Sequence, residues 1–142
     1  MSTNAEVVHR WFEEVWNRRD LSVVDQLMSE DCLSHGLMDV NGNVRRGPAG
    51  FYMLFDAFTH AYPDMHVTIE KTVSEDDFVV VHVVVEGTHT GEGIGVTPSG
   101  RAVKFSGFCW IRVKDGKIVE AWNQYDFMTM YQQLGVLSLT LG

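Results

Sequence analysis

The chain has 142 residues, 45% hydrophobic and 21% charged, which is the make-up of one globular domain with a real core and excludes a disordered segment. Nineteen acidic against eleven basic residues give a net charge of −8, and no basic cluster exceeds two residues, so a phosphate-gripping nucleic-acid face is excluded. Two cysteines, Cys32 and Cys109, are too few for a disulfide framework and read as free buried thiols in a reducing cytoplasm. No apolar run approaches ~18 residues, and the N-terminus carries no basic segment followed by an apolar one. The expectation is a soluble cytoplasmic domain without a membrane partner.

In chain order, Thr3 and Glu6 form a capping-box signature, and Val7, Val8, Trp11, Phe12, Val15 and Trp16 then recur at helical spacing up to about Asn17. Asp20 has the chemistry of a second cap, with Leu21, Val24, Leu27 and Met28 on the inner side, and Ser29-Glu30-Asp31 breaks that helix. Cys32 to Leu37 reads as short and extended. A third helix begins at Gly47-Pro48, turns Phe51, Leu54, Phe55, Phe58 and Tyr62 inward, and stops at Pro63. From Met65 onward the period changes to two. Met65–Ser74 alternates, Phe78–Thr88 is a β-branched run, and Arg101–Phe127 reads as two long strands around an Asp115-Gly116 hairpin turn. Between them TGEGIGVTPSG, Thr90 to Gly100, reads as a mobile loop in the position of a lid. Phe127–Gln133 reads as a last helix ended by Gly135. The predicted class is α+β, three helices followed by a meander of four antiparallel strands and a helical tail, with helices covering one face of a curved sheet.

Several residues have the chemistry of a site. Asp126 ends the last strand between Tyr125 and Phe127, where desolvation would raise its pKa and suit it to general acid/base work. It is equally placed to cap the final helix. His82 interrupts an apolar strand, as a satisfied core histidine or as a catalytic partner. Phe12, Trp16, Met38, Tyr52, Phe55, Trp110 and Trp122, with Gln124 on the Asp126 face of the last strand, are the candidate wall of a pocket for a flat, hydrophobic, carbonyl-bearing molecule. For most of the aromatics ordinary core packing is the competing reading. No ligand spacing points to a metal, GEGIG lacks the strand and helix of a dinucleotide fingerprint, and neither cysteine has a local base. No cofactor is expected.

Four passages carry a resemblance: EEVWNRRDLSVVDQLMSEDCLSH, HAYPDMHVTIE, EGTHTGEGIGVTPSGRAVKFSG and VKDGKIVEAWNQYDFMTMYQQLG, spanning Ala5 to Gly135. Together they resemble the SnoaL-like polyketide cyclases of the NTF2-like superfamily. The resemblance implies a single domain over residues 1–142, a strongly bent, mostly antiparallel sheet wrapped around N-terminal helices, a deep apolar cavity, and a homodimer. It implies ring closure of a polyketide ester by intramolecular aldol condensation, without metal or cofactor. Asp126 takes the position of the family's acid/base residue, and His35 falls where relatives carry a histidine at the cavity mouth. His35 and His82 are then its candidate polar partners. Glu120-Ala121-Trp122 departs from the Glu-His-Trp or Glu-Glu-Trp of many relatives, which removes one polar partner. That departure favours the alternative of a non-catalytic binding module on the same fold. A ketosteroid-isomerase or epoxide-hydrolase enzyme is the further alternative, though its Tyr/Asp or Asp-Arg-Asp constellation is not found here. The face Val79, Val81, Val83 and Val85 is apolar enough to expect the dimer contact there.

Overall fold

Thr3 accepts the N–H of Glu6 on its hydroxyl at 3.1 Å and opens helix α1 (Asn4–Arg10), as the capping signature predicts. The helix then widens to π type over Trp11–Asn17, where Arg18 N–H reaches back five residues to Glu13 O. The wider turn brings Trp11, Phe12 and Val15 into the core together. Asp20 caps the next turn through the Ser22 N–H at 3.0 Å and leads into the short helix α2 (Val24–Leu27). Helix α3 (Gly47–Ala61) has Pro48 in its first turn, and Tyr62 follows it into the core. This structure is a computed structural model and describes residues 3–39 and 41–138.

Six strands form one mixed sheet in the order β2-β1-β6-β5-β4-β3: β1 (Met28–His35), β2 (Arg45–Arg46), β3 (His66–Glu75), β4 (Phe78–Thr88), β5 (Ala102–Lys114) and β6 (Lys117–Tyr125). Helix α4 (Phe127–Gln133) closes the fold. The antiparallel meander β3 to β6 is as the sequence predicts. The extended reading from Cys32 catches the second half of β1; its first residues, its parallel pairing with β6 and the short β2 were missed. The predicted break at Ser29-Glu30-Asp31 survives as a register shift, since Met28 pairs with Ile118 but Leu33 already with Glu120. Such an irregularity hides a strand from a period-two reading.

A second bulge sets the faces of β6. Arg112 pairs with Glu120 and Val113 with Ile118, so Val119 is the extra residue. Ile118 and Ala121 therefore both face inward, and Asn123 and Tyr125 follow Ala121. The helices cover the face carrying Val79, Val81, Val83, Val85, Val103, Phe105, Cys109 and Ile111. This corrects the expectation for the dimer contact: Val79, Val81 and Val83 are 0% exposed, because they are the floor on which the helices pack. The loop after β4 is pinned at both ends. His89 N–H bonds Arg101 O at 2.9 Å, and the Thr90 and Gly91 N–H groups both reach Ala61 O at the end of α3. Gly91 is required there, since a Cβ would come 1.8 Å from His60 O. Among the described residues no helix is long and apolar enough to cross a membrane.

Candidate functional site

Between the N-terminal helix, α3 and the inner face of the sheet lies a two-lobed cleft. Phe12, Trp16, Leu37, Leu54 and Tyr125 border both lobes. The first lobe is apolar and continues past Phe58, Phe105 and Phe127; the second reaches Ser34, Arg45 and Asn123. Free volumes of about 40 and 60 Å³ leave room for little more than water, so a ring-sized guest needs the wall to shift. Trp16, edge-on to Phe51 at 5.4 Å and tilted on Phe55 at 5.3 Å, is held on the wall by α3.

Arg45 fixes another part of that wall. Its guanidinium donates to the carbonyls of Leu37 at 2.7 Å, Gly50 at 3.2 Å and Met38 at 3.3 Å, tying the chain after β1 to the start of α3. Asn123 donates its Nδ2 to His35 O at 2.9 Å. Tyr125 projects from the end of β6 across to β5, where its hydroxyl lies 3.3 Å from Cys109 Sγ. Gly107 is directly opposite Tyr125, and a Cβ there would stand 2.4 Å from the ring. The missing side chain is what lets the ring lie across β5. Burial pushes the Tyr125 phenol well above its usual pKa, and pushes the Cys109 thiol up to about 11. Both keep their protons at neutral pH. Neither lobe is lined by a carboxylate among the described residues.

The structure brings only part of the predicted site together. Phe12 and Trp16 line the cleft. Phe55 packs beneath Trp16, Tyr52 is half-buried against Phe51 at 6.3 Å, and Met38 is 61% exposed. Trp110, Trp122 and Gln124 are corrected to the opposite face of the sheet, where they form a shallow depression with Phe78, Val80 and Phe108. Their parity along β5 and β6 points them away from the helices. His82 lies on that same outer face, stacked on Phe108 with centroids 4.6 Å apart. His35 does not meet Asp126 either: its Nε2 lies 2.6 Å from Glu120 Oε2, and its ring stacks on Trp122.

Asp126 caps α4. Its Oδ1 accepts the Thr129 N–H at 3.0 Å and its Oδ2 the Thr129 hydroxyl at 2.6 Å. Those two bonds hold its pKa below the usual carboxylate range, which corrects the expectation of a carboxyl raised by apolar surroundings. The residues missed were Ser34, Leu37, Arg45, Asn123 and Tyr125. Asn123 and Tyr125 were findable from β6 alone: once Ala121 is assigned inward against Ile111, residues two and four further on must follow.

A family profile, the SnoaL-like polyketide cyclase, matches residues 6–134. The chain belongs to the SnoaL-like polyketide cyclase family. Among its relatives, the aklanonic acid methyl ester cyclase DnrD of Streptomyces peucetius is 26% identical over 137 residues, covering 95% of this chain and 92% of that one. DauD of Streptomyces sp. (strain C5), of the same description, is also 26% identical, covering 95% and 83%. The crystal structure of IdmH from Streptomyces antibioticus superposes with a TM-score of 0.83 at 30% identity, over 95% of this chain and all of that one. A SnoaL-like polyketide cyclase from Agrobacterium tumefaciens, 18% identical with a TM-score of 0.77 over 95% of this chain and 100% of that one, shares the fold. In this SnoaL-like chain the two-lobed cleft occupies the space between helices and sheet, and the outer aromatic face stands apart from it.

Proposed function

We propose that this chain takes a hydrophobic carbonyl compound into the two-lobed cleft and promotes an intramolecular aldol-type ring closure, without a cofactor. The observation that carries the reading is the cleft itself. It is walled by aromatics, carries a few fixed polar groups, and lies in a chain whose relatives over 92% and 83% of their length are ester cyclases. Proton removal next to the carbonyl is assigned to Asp126, whose chain neighbours Tyr125 and Phe127 both line the cleft. Ionised and bonded to Thr129, Asp126 is a ready base but a weak one. A substrate that draws it away from Thr129 would raise its basicity.

Asp126→Asn separates the two roles of this residue, because asparagine caps a helix about as well as aspartate. Assayed first on aklanonic acid methyl ester, the variant is expected to keep its melting temperature and lose turnover by roughly 10²-fold or more. Unchanged turnover would remove Asp126 from the chemistry. The absence of a carboxylate from both lobes among the described residues favours a second reading, a binding module of the same fold. That reading predicts tight binding with no turnover in either form. For the outer face we propose a second copy of the chain, covering Phe108, Trp110 and Trp122, which are 54%, 51% and 38% exposed.

A further inference from the structure

Among the described residues Tyr125 is the one hydroxyl-bearing side chain that borders both lobes. Any compound spanning the cleft passes the Tyr125 ring. A phenol offers one donor and two acceptor sites, and among the described residues its recorded partner is a thiol, a weak donor and a weak acceptor. Most of its hydrogen-bonding capacity is unspent, in a place where an unspent polar group is costly. The site is also built for this ring, since only glycine at position 107 leaves room for it.

Building on the cleft reading above, we propose that the Tyr125 hydroxyl is a catalytic donor that binds the carbonyl oxygen of the guest and stabilises the negative charge developing there as the enolate forms. Cys109 is its positioning residue: with the S–H turned to the phenol oxygen, the phenol's own proton is free for the guest. The guest class follows from the waist. It is an apolar ketone or ester whose carbonyl sits mid-length, flanked by the apolar lobe and by the lobe holding Ser34, Arg45 and Asn123. A proton-bearing donor in a water-poor cleft acts where charge develops and needs little reorganisation.

The test uses 1-tetralone as probe, with affinity from titration calorimetry and the bound carbonyl stretch from infrared difference spectra. The wild type is expected to bind it and shift the stretch to lower frequency. Tyr125→Phe is expected to bind about ten-fold more weakly, the loss of one neutral hydrogen bond, and to return the stretch to its value in an apolar solvent. Cys109→Ala is expected to keep most of the affinity while moving the stretch part of the way back, and it tests the same claim if Tyr125→Phe does not fold. A shifted stretch that neither variant moves overturns the donor role and leaves the cleft reading standing. No binding of 1-tetralone to the wild type overturns the cleft reading, and the donor role with it.

Discussion

The inner and outer faces of β4 to β6 are both rich in apolar side chains, yet they meet opposite fates. Inside, Val79, Val81, Val83, Ile111 and Val113 are small or β-branched, and helices lie directly on them. Outside, Phe78, Phe108, Trp110 and Trp122 are large and lie partly open around a shallow depression. A helix packs close against a sheet when the intervening layer is thin and regular, which valines provide. Indole and phenyl rings stand taller. They suit a face that meets another surface late, after the fold exists. Where the helices lie directly on the sheet, side-chain shape as well as hydrophobicity separates the two faces.

The sharpest way to break that symmetry is one charge on either side of the same strand. Val81→Asp places a carboxylate where no water reaches, and a loss above ~4 kcal/mol is expected, enough to leave little cooperatively folding protein. Val80→Asp, one residue away on the outer face, is expected to yield soluble protein with a normal urea transition. Equal behaviour of the two would contradict the assignment of faces. Next in size is Gly107→Val, which drives a side chain into the Tyr125 ring and is expected to cost about 1–3 kcal/mol by chemical denaturation. Trp110→Asp is expected to change monomer stability by less than about 0.5 kcal/mol while halving the mass seen by light scattering. An unchanged mass would show that the outer face is not where copies meet.

The smallest effect concerns the cap. Asp126→Ala is expected to lower stability by about 1 kcal/mol near neutral pH, and Asp126→Asn by a few tenths at most. Because the folded pKa of Asp126 lies below the unfolded value, its contribution is fully present above the unfolded pKa of about 3.9. It is lost as pH falls through the folded value. The gap between wild type and Asp126→Ala should therefore close on acidification, and a gap that persists at low pH would argue against the cap.

Local chemistry made much of this fold legible. The Thr3 and Asp20 caps, Pro48 at the head of α3, the Asp115-Gly116 turn and the valine run each follow from forces acting over a few residues. The sites of failure were non-local. The strand β1 was obscured because its partner lies on β6 and its ladder slips at Ser29 to Asp31. The cleft wall departs from the sequence reading for a related reason: strict alternation along β6 puts Trp122 and Gln124 on the face of Ile118, and the Val119 bulge shifts the phase by one. Trp122 and Gln124 then look inward on paper and lie outward in space. Asp126 was ambiguous in the sequence, and two hydrogen bonds to Thr129 place it as a cap.

The parallel seam between β1 and β6 also governs the order of events as the chain is made. His35 and Glu120, whose side chains meet across that seam, are 85 residues apart. The π-type turn with Trp11 and Trp16, and helix α3 with its phenylalanines, leave the ribosome well before the strand that completes their floor. Closing so long a loop slows folding, and early apolar segments wait unprotected. A nascent chain stopped short of Lys117 should therefore linger on holdase chaperones, and release should follow once Tyr125 has emerged.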